Sequence, residues 1–119
     1  MKYIFLVAFV LLALTGNTQE TYVEQMPVFS QDLAKYLGEN IHYPDSAIAH
    51  NIEGRVVVRF VVNKDGHVSN CKVVKHVSPE CDAEALRVVK NMPAWKPGFN
   101  KGKAVKVYYN LPIVFKLDD

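Results

Sequence analysis

From Val105 to Phe115 every second residue is apolar: Val105, Val107, Tyr109, Leu111, Ile113 and Phe115. Between them lie Lys106, Tyr108 and Asn110, before Pro112 and Val114 break the polar run. A period of two with one apolar face is the pattern of a half-buried β-strand. Pro112 constrains it further. Proline has no N–H, so a strand that contains it belongs at the edge of a sheet. An edge strand leaves a row of unpaired N–H and C=O groups, a template for another chain. Pro112 blunts only the second half of this one. Residues 105–111 keep all their N–H groups, with Lys101, Lys103 and Lys106 close by in sequence.

Partners for that strand lie upstream. RVVVRFVV, residues 55–62, is rich in β-branched residues. Val56, Val58, Phe60 and Val62 fall on one face, and Arg55, Val57, Arg59 and Val61 on the other. NKDG, residues 63–66, reads as a hairpin turn in which Gly66 can take positive φ. HVSNCKVVKH, residues 67–76, returns as the second strand.

The remaining segments read as helices and connections. Ser78 is placed to cap, Pro79 suits the first turn, and Glu80 and Asp82 favour the positive end of the helix dipole. Cys81, Ala85, Val88, Val89 and Met92 form the apolar stripe of that helix, and Pro93 stops it. QDLAKYLG, residues 31–38, predicts a short helix with Leu33, Tyr36 and Leu37 on one face and Gly38 at its end. YPDSAIAHN, residues 43–51, predicts another, opened by Pro44 with Ile48 inward. AWKPGFNKGK reads as a loop with Trp95 folded back into the core. Residues 19–30 read as an extended lead-in and residues 31–118 as one domain. The fold class is α+β: a three-stranded antiparallel sheet with helices packed on one face.

The chain has 119 residues, enough for one domain. Its formal charge of +2 and the lack of a basic stripe with interleaved aromatics argue against nucleic acid. Lys2 and the apolar run at residues 3–14 describe a secretory signal peptide over residues 1–18, or a short uncleaved anchor. The run is shorter than the roughly 20 residues that span a bilayer. Export would place Cys71 and Cys81 in an oxidising compartment. They are either a disulfide from strand to helix or two buried small hydrophobes.

No catalytic constellation stands out. His42, His50, His67 and His76 are scattered, and Ser46, Ser69 and Ser78 lack the glycines of a nucleophile elbow. The Cys71, His76, Cys81, Asp82 spacing matches no zinc pattern. The expectation is no enzyme, no metal and no cofactor. What remains is the open edge. One reading of its lysines is protection against unwanted pairing alone; the functional reading is β-augmentation by an extended peptide, preferably one with acidic residues.

Tyr43-Pro44, Ile52-Glu53-Gly54, the Val/Phe strand, Asp65-Gly66, Glu84-Ala85-Leu86, Trp95-Lys96-Pro97-Gly98 and the final strand occur in an order that resembles the C-terminal domain of TonB energy-transducing proteins, Bacteroidetes-type versions above all. The resemblance spans about residues 22–117 and implies a periplasmic domain. It implies binding of the TonB-box peptide of outer-membrane TonB-dependent transporters, in energy-coupled transport. The peptide site it implies is Val105, Lys106, Val107, Tyr108, Tyr109, Asn110 and Leu111, with Tyr43 and Pro44 near the same contact. Inner-membrane motor proteins are implied as partners if the N-terminus stays anchored. Full transducers carry a long proline-rich linker. Here only about 25 residues separate the apolar run from the first matched helix-and-strand core, a reach of about 3.5 Å each. That suggests peptide binding without transmission of force. The alternative is an envelope scaffold whose last strands pair edge to edge in a homodimer.

Overall fold

Val56, Val58, Phe60 and Val62 are fully buried on one face of a single strand, β2 (Gly54–Val62), and the rest of the fold is arranged around them. The computed structural model describes residues 23–118; the signal or anchor segment lies outside them. β2 is the centre of a three-stranded antiparallel sheet. On one side it pairs with β3 (Val68–Lys75), on the other with β7 (Val107–Phe115), in the order β3–β2–β7. The pairing of β2 with β7 runs without a break from Gly54↔Phe115 to Val62↔Val107. The pairing with β3 shifts register twice, and Asn70 takes φ 53° there. The shifts are bulges in β3, since β2 stays regular against β7.

The turn between β2 and β3 is as the sequence predicts. Asn63 donates to the His67 carbonyl at 2.9 Å, the Gly66 N–H donates to Asn63 at 2.9 Å, and Gly66 has φ 92°. The helix α3 (Pro79–Lys90) also follows its signals. The Ser78 hydroxyl accepts from the Cys81 N–H, and Cys81, Ala85, Val88 and Val89 are buried. Cys81, Ala85 and Val89 join the β2 valines, Leu111, Ile113 and Phe115 in one core. The helices therefore cover one face of the sheet, and the expected α+β architecture holds.

The two short helices differ from expectation in detail. The helix α1 (Leu33–Asn40) starts at an Asp32 cap that accepts from Lys35, and packs Leu33, Tyr36 and Leu37 on the core. It runs past Gly38 because its last turn is held from outside: Arg87 donates to the Asn40 carbonyl at 2.8 Å, and Glu84 accepts from the His42 N–H. The helix α2 (Asp45–Ala49) does begin after Pro44, but Ala47 is its fully buried residue and Ile48 is 45% exposed. The Ile52 N–H returns to the Ala47 carbonyl, so this short turn lies tight against the body and leaves room for a methyl only.

The lead-in and the expected loop are built into the fold. β1 (Val28–Phe29) pairs with β4 (Trp95–Lys96). Gln25 exchanges two backbone hydrogen bonds with Phe99, at 3.0 and 2.9 Å. β5 (Gly98–Asn100) and β6 (Lys103–Val105) form a hairpin closed by Lys101 and Gly102, both at positive φ. That is the two-residue turn that matches strand twist. Trp95 is 4% exposed, in the core as expected.

Candidate functional site

β7 ends the sheet, and the direction of its backbone groups follows from the turn at the other end of β2. The Asn63 N–H points to β3. Backbone groups alternate along a strand, so Val61, Arg59 and Val57 also point to β3. The even residues of β2 then bond β7 at Val107, Tyr109, Leu111, Ile113 and Phe115. Tyr108, Asn110 and Val114 are left with their N–H and C=O groups, and Pro112 with its C=O, directed away from β2. Pro112 falls in this outward set, where its missing N–H costs the sheet nothing. The free edge therefore offers full donor and acceptor pairs at Tyr108 and Asn110, a carbonyl only at Pro112, and a pair again at Val114.

The side chains divide just as cleanly. Leu111, Ile113 and Phe115 are buried toward the helices and Val107 packs on Val23 and Met26 of the lead-in, while Tyr108, Pro112 and Val114 are exposed on the opposite face. Tyr109 lies half-buried on the inner face. It stacks on Phe60 with ring centroids 5.5 Å apart and meets Trp95 at 4.8 Å. Trp95 in turn touches Phe29 at 5.3 Å. Such ring contacts add about 0.5–1.5 kcal/mol each beyond area burial. The first half of the edge is thereby braced from beneath. Burial pushes the Tyr109 hydroxyl above the ordinary phenol range, so it stays neutral at any physiological pH. The Trp95 Nε1 has no hydrogen-bond acceptor among the described residues.

The expected site residues do not all fall together. Val107, Tyr108, Tyr109, Asn110 and Leu111 form one continuous stretch of β7. Val105 is not part of it: it pairs with Gly98 in the β5–β6 hairpin, and Lys106 is the exposed joint between the two sheets. The long strand expected from residue 105 is broken there because the tight Lys101–Gly102 turn commits Val105 to another partner. Tyr43 sits at the opposite end. Its ring meets Phe115 edge-on at 5.4 Å, and its hydroxyl donates to the Ile52 carbonyl. Phe115 lies four residues beyond Leu111, about 13 Å along a strand. Tyr43 thus packs on the inner face at the far end of β7, and Pro44 caps α2; at that end of β7 a shallow hollow of about 370 Å³ is lined by Glu53, Gly54, Arg55, Val114, Phe115 and Lys116.

Cys71 and Cys81 are free thiols in this structure, so the cross-link considered from sequence is not made in it. Both pack on the main core, and burial pushes the Cys71 thiol up, against the pull of Lys90. His76 pairs with Asp82 at 2.7 Å and His67 with Asp65 at 3.1 Å, both histidines at the surface. Among the described residues no group of three or more His, Cys, Asp or Glu side chains is placed to hold a metal ion, and no helix is long and apolar enough to cross a membrane.

One polar contact beside the edge carries no sequence signal. The Arg59 Nε donates to the Asn110 Oδ1 at 3.3 Å, across β2 and β7. Arginine at residue 59 looks from sequence like one more solvated charge. Only the register that sets Arg59 opposite Asn110 reveals it.

The family model for the C-terminal part of the Gram-negative bacterial TonB protein matches residues 39–117. Among solved structures, the Helicobacter pylori TonB C-terminal domain, determined by NMR in solution, is 27% identical with a TM-score of 0.56, over 73% of this chain and 91% of that one. A longer version of the same domain is 22% identical with a TM-score of 0.57, over 94% of this chain and 95% of that one, a likeness of fold. The Pseudomonas aeruginosa TonB C-terminal domain is 29% identical with a TM-score of 0.54, over 66% of this chain and 80% of that one. No curated protein matches the chain.

Proposed function

The chain belongs to the TonB C-terminal domain family, and from that premise we propose that it is a periplasmic protein that binds the TonB-box peptide of outer-membrane TonB-dependent transporters. The peptide adds as a strand to the open edge of β7, in energy-coupled transport across the outer membrane. The observation that supports this reading most is the unpaired first half of that edge. Tyr108 and Asn110 turn their backbone donors and acceptors outward, on a strand braced by Phe60, Trp95 and Tyr109. Main-chain bonds of this kind fit any extended sequence, and side chains on either face supply preference.

Magnitudes limit what the backbone can do alone. The groups of Tyr108 and Asn110 make about four hydrogen bonds, each worth about 1 kcal/mol net. That total corresponds to a dissociation constant near millimolar. Side-chain contacts must supply the rest. No chemical reaction is assigned to the protein.

The test is an NMR titration of the full chain with an acidic, aliphatic TonB-box peptide. Strand addition shifts the amides of Tyr108 and Asn110 first. Saturating peptide without shifts on β7 overturns the proposal. Amides of β7 already protected in a concentration-dependent dimer would replace it with the edge-to-edge scaffold.

A further inference from the structure

The face of the sheet away from the helices carries an ordered set of side chains. Register gives its rows, each reading from β3 through β2 to β7. One row is Ser69, Val61, Tyr108; the next is Lys72, Arg59, Asn110; the third is Lys75, Val57, Pro112. Arg55 lies beyond them, opposite Val114. These positions include cations and apolar groups but no carboxylate. The middle row is the polar one, and the rows on either side of it reach β7 as Tyr108 and Pro112.

Arg59 is the residue that makes this row more than a charged surface. Its Nε bond to Asn110 holds the guanidinium beside β7, the strand with the open edge. Among the described residues it has no carboxylate partner. A strand added to β7 would lie about 10 Å from β2, two strand spacings. The residue of that strand opposite Asn110 would point its side chain to this same face, because directly paired residues share a face. An arginine that already reaches the Asn110 side chain on β7 and a glutamate leaning back span that interval together. The guanidinium's remaining N–H groups fit a carboxylate fork.

We infer that Arg59, held beside β7 by Asn110, selects an acidic side chain at the outward position opposite Asn110, with apolar residues two places to either side that lie along Tyr108 and Pro112. The inference rests on the strand-addition reading above. It assigns the ligand a pattern, apolar-x-acidic-x-apolar on one face, and names the residue that reads its centre.

The probe is the blocked peptide Thr-Val-Thr-Glu-Thr-Val-Thr and its glutamine counterpart, titrated into the full chain and into its Arg59→Gln variant. Glutamate should bind the unaltered protein about threefold to fivefold tighter than glutamine, the range of a partly exposed ion pair. The preference should fall to nearly onefold in Arg59→Gln, persist in Arg55→Gln, and fade in molar salt. Arg59→Met, which keeps the aliphatic stem, replaces the glutamine variant if that one does not melt cooperatively. An equal preference before and after loss of Arg59, with β7 amides still shifting, overturns this inference and leaves strand addition standing. Equal loss in Arg55→Gln and Arg59→Gln overturns it too, in favour of a diffuse field. No β7 shifts with either peptide overturns both.

Discussion

The Gly66 carbonyl accepts the Trp95 N–H at 2.8 Å, and a Cβ on Gly66 would stand 2.0 Å from the Trp95 carbonyl oxygen. The hairpin turn and the core tryptophan are thus joined backbone to backbone, with no room for a side chain between them. Gly66 also has φ 92°, outside the range of other residues. Gly66→Ala should lower stability by about 2–4 kcal/mol, since backbone strain and overpacking add. Denaturant melts of the two proteins would measure it. A loss below 1 kcal/mol would mean that the turn and Trp95 separate easily.

Phe29→Ala tests whether the lead-in is structural. Phe29 is 7% exposed, touches Tyr36 and Trp95, and sits in a two-residue strand paired with Trp95. Its truncation should cost about 3–4 kcal/mol. The same change at Val28, which is 58% exposed, should cost less than about 0.5 kcal/mol. Equal small effects would show that the lead-in is merely draped over the body.

Of these two sites the Gly66 turn is readable in the sequence and the pairing of Phe29 is not. Periodicity exposed β2, β7 and α3, because each buries one face and the burial repeats at a fixed interval. The Gly66 turn and the Ser78 cap were readable because their chemistry is local. β1 and β4 are two residues each, too short for any period, and exist because Phe29 and Trp95 need each other in the core. The break at Lys106 was hidden for a related reason. Alternation runs straight through it, and only the pairing of Val105 with Gly98 shows the change of sheet. Of the edge, β7 and its proline were legible, but the Arg59 contact depends on register between residues far apart in sequence.

Glu84 should make stability depend on pH. The Arg87 guanidinium donates to it at 2.7 and 2.8 Å, and with the His42 N–H holds its carboxyl below the ordinary glutamate range. The unfolded chain therefore takes up this proton at a higher pH than the folded one. The stabilisation is full above pH about 4.3, the unperturbed value, and disappears as pH falls through the lower folded value. Arg87 is half exposed, so solvent screening keeps the effect to about 1 kcal/mol. Glu84→Gln should lose that amount at pH 7 and show a shallower decline in acid. Parallel pH profiles for the two proteins would contradict the linkage.

Asn110→Pro and Leu111→Pro give opposite results if the backbone phase of β7 is right. Asn110 lies in the outward set with Pro112, so a proline there removes a donor that the sheet does not use. The protein should stay folded, losing about 1 kcal/mol or less with the Arg59 contact. Peptide binding should weaken about fivefold to tenfold, since the added strand loses an acceptor site's partner and the Arg59 anchor together. Leu111 pairs inward with Val58, and a proline there breaks a ladder bond in the middle of the sheet. That change should cost about 3 kcal/mol or more in stability. Thermal melts and a peptide titration on both variants separate the outcomes. Stable Leu111→Pro with unfolded Asn110→Pro would reverse the phase and move the free donors to Tyr109 and Leu111, away from the face that Arg59 overlooks.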